Sequence, residues 1–561
     1  MCGIYCEFSA DNVDKERSII NLKKLAHRGP DNTGFEAEKK FFIGHTRLSI
    51  VDADNANSNQ PFRDKGKRYY FVFNGEIYNY KELKQQLESK GIVFTTSSDS
   101  EVVFLGLIEE GESFLKKIDG MYALVFYDAV TKEIYVARDH YGIKPLYLRI
   151  NDGKVQLASE IKTFDNSKLC ENSRILFLAL GYIPEPYTLY EKVNPIKSGT
   201  ITKIKITNGR VNISEVTIQL EEKLNLEIKD EIEKNVLMIG RHGIKPVLFY
   251  SGGLDSTVAA KILSRGDVKQ DLISVVTDKD LDSIELRNLG LENTKYNKYF
   301  ELIPDRDEKD FERFINAMDQ PTIDGFNTYL ITKEAHKLGY KVGLSGIGVD
   351  EFFYGYPSFK WLAVLKFIAS CRIFRFLISI MAPKKGKYSK LHYITSVNKW
   401  GVYLAIRGVL SPGEISVKIG KNTDYICKTI FDHFDNEFKT KEKELSLKDV
   451  RNLEIHSYMK NQLFRDSDVF GMVNGVEVRP LFVNKNIDIL SSKIDFVKSS
   501  KINKLNFVDL FKEMLNSKTY LQRKKGFSLS SKVYGIEDRH LKGNGWVRSY
   551  ISFLDKKFYG N

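Results

Sequence analysis

Short apolar runs rich in β-branched and aromatic residues recur between positions 41 and 158, and those at 69–73, 123–127, 134–137 and 155–158 each predict a strand. Between them the period changes. The stretch 81–90 puts Leu83 and Leu87 on one helical face, with Asn79 as cap and Gly91 as stop, and 101–110 repeats the pattern behind Asp99 or Ser100. Strands grouped with a few helices predict an α+β domain with covered sheets, ending near residue 210, where the polar Asn208-Gly209 turn precedes a weakly patterned charged stretch. From there strand and helix alternate: strand 247–250, helix 257–263, strand 272–276, helix 328–338, strand 341–344. This grammar predicts an α/β parallel sheet. Beyond Tyr354 the pattern is largely helical.

The turn Ser251-Gly252-Gly253-Leu254-Asp255-Ser256 falls between a predicted strand and a predicted helix. Its glycines let backbone N–H groups approach an anion, Ser251 and Ser256 add hydroxyls, and the helix N-terminus favours negative charge. A carboxylate at Asp255 would repel phosphate unless Mg2+ lay between them, so the turn suits magnesium-bound ATP. As a structural element it could equally just cap a helix. No lysine follows the glycines, which sets it apart from the common phosphate-binding loop. A second glycine turn, Ser345-Gly346-Ile347-Gly348-Val349-Asp350-Glu351, follows another predicted strand and could reach the same nucleotide, with Asp350 and Glu351 suited to magnesium.

The length of 561 residues implies two or three domains. The net charge of +12 comes from 85 basic against 73 acidic residues, an excess that reads as thinly spread; the basic clusters are too short to indicate nucleic acid. Five cysteines without paired spacing fit a reducing compartment, and the N-terminal residues lack a signal-peptide pattern, so a cytoplasmic location is expected. The most lipid-like run, 361–381, carries Lys366, Arg372 and Arg375. These charges argue against stable membrane insertion and for a buried or amphipathic helix, with membrane-surface contact as the alternative. A homodimer is one assembly compatible with the sequence.

Cys2 follows Met1 directly, and removal of Met1 would leave thiol and α-amine on one residue, as an N-terminal nucleophile requires. Asn74 and Gly75 end a predicted strand with an amide donor beside a bare backbone N–H, fit for an oxyanion hole. Arg47 could clamp a carboxylate, and Glu76 and Asp99 an α-ammonium. Lys524 could neutralise charge developing on phosphate. Each of these is also consistent with an ordinary turn residue or solvated charge.

Ordered motifs bring these residues together. Met1-Cys2-Gly3-Ile4, His27-Arg28-Gly29-Pro30-Asp31, Arg47 to Asp52, Phe73 to Asn79, Arg138 to Gly142 and Ala158 to Lys162 resemble the glutaminase domain of the glutamine-dependent asparagine synthetase family. The turns at 251–256 and 345–351 resemble its ATP loops, and Arg523-Lys524-Lys525-Gly526-Phe527 its C-terminal lysine motif. The resemblance implies an α-β-β-α glutaminase over 1–210, then an ATP-pyrophosphatase domain with a helical C-terminal part over 211–561. It implies Cys2 as nucleophile, Asn74 and Gly75 as oxyanion hole, and Arg47, Asn74, Glu76 and Asp99 as glutamine contacts. Tyr250, Ser251, Gly252, Gly253, Asp255, Ser256, Val276, Ser345 and Gly346 would hold ATP, Asp255 and Asp350 magnesium, and Lys524 the α-phosphate and leaving pyrophosphate. Ammonia would pass through a tunnel to an acyl-adenylate, making asparagine if the acceptor is aspartate. Three departures bear on the acceptor. Ile347 stands where many asparagine-forming members have glutamate. The segment Glu477-Val478-Arg479-Pro480-Leu481-Phe482-Val483-Asn484 is one residue shorter before its proline than the family's Glu-x-Arg-x-Pro-x-Leu-Asp and lacks the aspartate, and Tyr250 replaces a common leucine. The same chemistry on another carboxylate, such as a uronic acid in surface-polysaccharide assembly, is the second expectation, and a catalytically silent binding protein the third.

Overall fold

The computed structural model describes residues 2–165, 167–219, 226–268, 270–275, 288, 290–302, 308–439, 442, 444–496, 504–520 and 545–560. Two six-stranded antiparallel sheets build the first domain. One runs, in spatial order, Val193–Pro195, Tyr147–Asn151, Lys154–Ala158, Cys2–Ser9, Phe41–Arg47, Asn32–Glu38. The other runs Arg210–Thr217, Thr200–Thr207, Glu133–Arg138, Gly120–Asp128, Tyr69–Ile77, Phe62–Arg63. The pleat alternates side chains between faces. Ile4, Cys6 and Phe8 therefore enter the core between the sheets with Ile43, Val72 and Val125, while Tyr5 joins Leu22 and Phe42 on the outer face. On the far face of the second sheet Leu83, Leu87, Val102 and Val103 pack against Phe71, Phe73 and Leu124. Helices thus cover both outer faces, giving the expected α-β-β-α layering.

Several local expectations shift by the action of distant residues. The helix expected at 81–90 spans Tyr80–Ser89 and has Asn79 at its N-cap position, but the Asn79 side chain accepts from Asp119 N and donates to Lys117 O instead of capping. The next helix, Asp99–Glu110, is capped by Ser98, whose hydroxyl accepts from Glu101 N; Asp99 and Ser100 lie inside it. The Asn208-Gly209 turn does not close the domain near 210. Asn208 (φ 51°) and Gly209 (φ 74°) form a hairpin turn, and Arg210–Thr217 pairs with Thr200–Thr207 along its whole length. The charged strand is an edge exposed on both faces along nearly its whole length, which is why it lacked an apolar pattern.

The second domain is built on a fully parallel sheet in the order Tyr299–Leu302, Asp271–Val275, Val247–Phe249, Val342–Ser345, Glu477–Pro480. Chain order departs to opposite sides from Val247–Phe249, so the crevice beside this strand is a topological switch point, the usual ligand position of such sheets. Beyond Tyr354 the described residues are mainly helical, as expected, except for the strand Glu477–Pro480. Val276 and the motif Arg523 to Phe527 lie outside the described residues.

Buried charges join the domains. Arg28 donates from Nε to Cys2 O (3.1 Å), from Nη1 to Glu160 (2.8 Å) and from Nη2 to Asp468 of the second domain (2.7 Å), with the ion-paired side chains almost wholly out of water. Arg479 pairs with Glu477 at 2.5 Å and with Glu76 of the first domain at 3.2 Å. Arg28→Met leaves two buried carboxylates short of a shared cation. It should lower stability by about 3 kcal/mol, read as an earlier thermal unfolding transition. Arg17→Met, at an exposed 3.9 Å pair with Asp165, should shift stability by less than about 0.5 kcal/mol in the same measurement.

Candidate active site

Cys2 opens the strand Cys2–Ser9, buried, directly opposite Arg47 on the neighbouring strand. Its backbone N donates to Asn74 Oδ1 at 2.8 Å, across the gap between the two sheets. That bond fixes the orientation of the Asn74 amide. Asn74 Nδ2 is then left buried with no hydrogen-bond partner among the described residues. A buried donor without an acceptor is costly unless something arrives to accept from it, as a developing oxyanion would. Gly75 lies against Tyr122 of the next strand, and a Cβ there would sit 2.2 Å from Met121 O and 2.7 Å from Tyr122 Cα. Glycine is thus required by strand packing as well as available for a close backbone approach. Burial pushes the Cys2 thiol up, against the pull of Leu48 N–H and the Arg47 cation.

The Arg47 guanidinium is held by neutral acceptors: Asn55 O at 3.3 Å, Asn59 Oδ1 at 2.9 Å, Val51 O at 3.2 Å and Asp52 O at 3.0 Å. No carboxylate ion-pairs with it among the described residues, so the oriented cation suits an arriving carboxylate. Glu76 and Asp99 lie close together, with carboxylate and ring atoms of Glu76, Asp99 and His242 all within 4.8 Å of one another. Asp99 Oδ2 accepts from Ile77 N at 2.9 Å. Burial, followed by the charge of Glu76, pushes Asp99 up to about 7, against His242 and the N–H groups of Ile77 and Ser100. Cys2, Arg47, Gly75, Glu76 and Asp99 line one cleft with Gln60 and Phe73. The structure therefore brings all the first-domain site residues together.

His242, which sequence reasoning missed, enters this cluster from the second domain. Its Nε2 lies 2.6 Å from Glu76 Oε2, and the rings of Tyr78 and Tyr80 meet it edge-on. Arg479 ties the cluster together by donating to His242 O at 2.7 Å. No local pattern marks His242; Arg479 stood in a recognised motif without a role.

At the switch point, Gly252 has φ 75° and the helix Leu254–Arg265 starts directly behind Gly253. Ser256 Oγ accepts from Ser251 N at 3.2 Å, which folds the turn back over the helix start. The second turn leaves the adjacent strand, and a Cβ on Gly346 would lie 3.2 Å from Asp255 Cβ, so the two loops nearly touch. Tyr250 is expected at the nucleotide, but its ring is buried in the core, edge-on to Tyr299 at 6.0 Å, because it occupies an inward position under the loop; its backbone alone borders the turn. Glu351 is committed locally, accepting from Gly348 N at 3.1 Å and from the Tyr356 hydroxyl. Ile347 packs on the apolar core. Asn484, where the family's motif would carry aspartate, accepts from Asn486 N at 2.7 Å and caps the helix Lys485–Ser492, a service either residue performs.

Asp255 and Asp350 converge on one cation, Lys504 Nζ, at 2.5 and 2.9 Å. Burial alone would pull the Lys504 ammonium down, but the two carboxylates hold it above its ordinary value. Lys504 (φ 55°) heads the helix Leu505–Phe511 and carried no signal in the sequence. The ammonium shows that the two acids can share a single positive charge, so the donor set fits the expected magnesium.

Family comparison agrees with this division. The glutamine amidotransferase domain model matches residues 1–215 and the asparagine synthase model residues 228–551. Asparagine synthetase [glutamine-hydrolyzing] 1 of Bacillus subtilis is 26% identical over 98% of this chain and 90% of its own. Asparagine synthetase [glutamine-hydrolyzing] 2 of Oryza sativa subsp. japonica is 30% identical over 64% of this chain and 60% of its own, and amidase chyE of Penicillium rubens 29% identical over 62% and 56%.

Lys504→Met removes the cation between Asp255 and Asp350. It should cost about 2 kcal/mol, less than a fully buried pair because the carboxylates keep some water. Added Mg2+ should raise the melting temperature of the variant more than that of the unaltered chain, as followed by thermal shift.

Proposed function

We propose, because the chain belongs to the glutamine-hydrolysing asparagine synthetase family, that it makes asparagine by joining glutamine-derived ammonia to an aspartyl-adenylate. The observation that carries the reading is the continuity of the two half-sites. Glu76 in the Cys2 cleft is bonded to Arg479, and the strand of Arg479 pairs with the strand that ends at Ser345 in the second loop.

With Met1 removed, the nitrogen held by Asn74 is an α-amine that takes the Cys2 thiol proton. The thiolate attacks the glutamine side-chain carbonyl, the oxyanion accepts from Asn74 Nδ2 and Gly75 N–H, and collapse expels ammonia as the α-ammonium gives the leaving nitrogen its proton; water then hydrolyses the Cys2 thioester, releasing glutamate and the thiol. Arg47 holds the substrate carboxylate and Glu76 with Asp99 the ammonium. In the second domain Ser251, Gly252, Gly253, Ser256, Ser345 and Gly346 cradle ATP, the acceptor carboxylate attacks the α-phosphorus and pyrophosphate leaves, its charge neutralised by Lys524 as the motif resemblance implies; ammonia then attacks the acyl-adenylate and displaces AMP. Magnesium held by Asp255 and Asp350 supplies neutralisation of phosphate charge. Ammonia travelling inside the protein escapes protonation, which in water at neutral pH would destroy its nucleophilicity.

Ile347 favours a second acceptor. It offers no carboxylate in the second loop, and Glu351 is engaged with Gly348 and Tyr356, so the same chemistry on a uronic acid competes with aspartate. Family names do not decide it, since one relative is named an amidase. Product mass with aspartate, together with AMP and pyrophosphate release, tests the leading reading; silence with aspartate and turnover with a uronic acid would replace it. Cys2→Ala should abolish glutamine use and keep synthesis from added ammonia.

The pH dependence follows from Asp99. With its acid near 7 in the free protein, a bound ammonium favours the ionised form, so binding releases a proton. The KM for glutamine should rise by up to about tenfold per pH unit as pH falls below 7. Asp99→Asn should raise KM and flatten that profile, measured by steady-state glutaminase kinetics.

A further inference from the structure

From 352 to 413 the chain contains ten Lys and Arg and no Asp or Glu, against a net +12 for all 561 residues. Within this stretch lie two consecutive helices, Pro357–Ser370 and Arg372–Met381. In the second no residue is buried, and Ile373, Phe376, Ile380 and Met381 are 63–76% exposed. At 100° per residue, Ile373, Phe376 and Ile380 form one stripe while Arg372, Arg375 and Ser379 fall on the other side. On the first helix Trp361 and Phe367 are also exposed, and the Phe367 and Phe374 rings meet at 6.0 Å, joining both helices into one apolar face.

Such a face in water requires a partner. No helix is long and apolar enough to cross a membrane among the described residues, and these two, of 14 and 10 residues, meet at Cys371. Arg372, Lys384, Lys385 and Lys387 are exposed beside the face, and no carboxylate ion-pairs with them among the described residues. A second copy docked face to face would bring the same cations together without acids, which opposes self-association. An apolar stripe with aromatic residues, flanked by unneutralised cations, is the chemistry of a helix lying in the interface of an anionic bilayer.

We propose that the helices Pro357–Ser370 and Arg372–Met381 form a docking surface for an anionic lipid membrane, with the apolar stripe entering the headgroup boundary and the basic residues meeting lipid phosphates. Binding of the full chain to vesicles of phosphatidylcholine alone, or with one-third phosphatidylglycerol, tests it by co-sedimentation. Affinity for the anionic vesicles should exceed that for neutral ones by about tenfold or more and fall as salt rises. The variant F376E/I380E should lose about tenfold or more of that affinity with an unchanged melting temperature, and K384E/K385E should reduce the preference for anionic lipid. Emission of Trp361 should shift to the blue on binding. The proposal is overturned by absence of vesicle binding, by binding that survives F376E/I380E, or by self-association or capture of an acidic protein that this variant abolishes while vesicles are ignored.

Discussion

The buried charges between the domains are the constraint on which the arrangement depends. An unpaired ion of this kind is expensive out of water, so Arg28 and Arg479 are tolerable only where both domains supply their acids at once. Arg28 needs Glu160 from the first domain and Asp468 from the second; Arg479 needs Glu76 from the first and Glu477 beside it. Pairs of this type are weak sources of net stability compared with apolar packing, but they penalise every other docking angle. They also touch the candidate site directly. Arg28 grips Cys2 O, and Arg479 and His242 grip Glu76, so the strand of the proposed nucleophile and the expected ammonium contact are both positioned by residues that cross the interface.

The two loops at the switch point obey the same electrostatic logic with a different solution. Two acids placed as close as Asp255 and Asp350 must repel each other in the absence of a cation, and Lys504 supplies one from a helix start far along the chain. Close backbone approach keeps the acids in place. A Cβ on Gly355 would fall 1.9 Å from Asp350 Oδ1, so Asp350 is located by a position where glycine is required, and one on Gly346 would press on Asp255 Cβ at 3.2 Å. Under the proposed function, a metal-bound nucleotide would meet carboxylates already converged and would have to displace the Lys504 ammonium from them.

Much of this was legible before the fold was known, because the relevant signals are local. Period-2 and period-3.6 patterns place the strands of 69–77 and 120–128 and the helices after Asn79 and Ser98, and the glycine turns announce two loops at strand ends. What failed was decided by distant residues. The Asn79 side chain bonds Lys117 and Asp119 instead of capping its helix, and Arg210–Thr217 is a strand because Thr200–Thr207 lies beside it. Lys504 and His242 carry meaning only through partners about 250 and 166 positions away. The ordered motifs pointed to the residues that the first domain gathers in one cleft, whereas the cations that hold them together had no motif of their own.

Net charge misled for a related reason. An average of +12 over 561 residues reads as solvated surface, yet the positive balance is concentrated in one acid-free stretch that carries the outward-facing apolar residues Trp361, Phe367, Ile373, Phe376 and Ile380. Its first exposed helix begins at Pro357, immediately after Tyr356, whose hydroxyl bonds Glu351 of the second loop. A 14-residue helix spans about 21 Å, so a membrane contact there would hold the acceptor side of the site within roughly one helix length of the bilayer. For a freely diffusing acceptor such as aspartate this position brings no advantage. For an acid carried on a lipid it would shorten the search from three dimensions to two, so the proposed membrane docking and the proposed choice of acceptor bear on each other through the same few residues that join Asp350 to the first amphipathic helix.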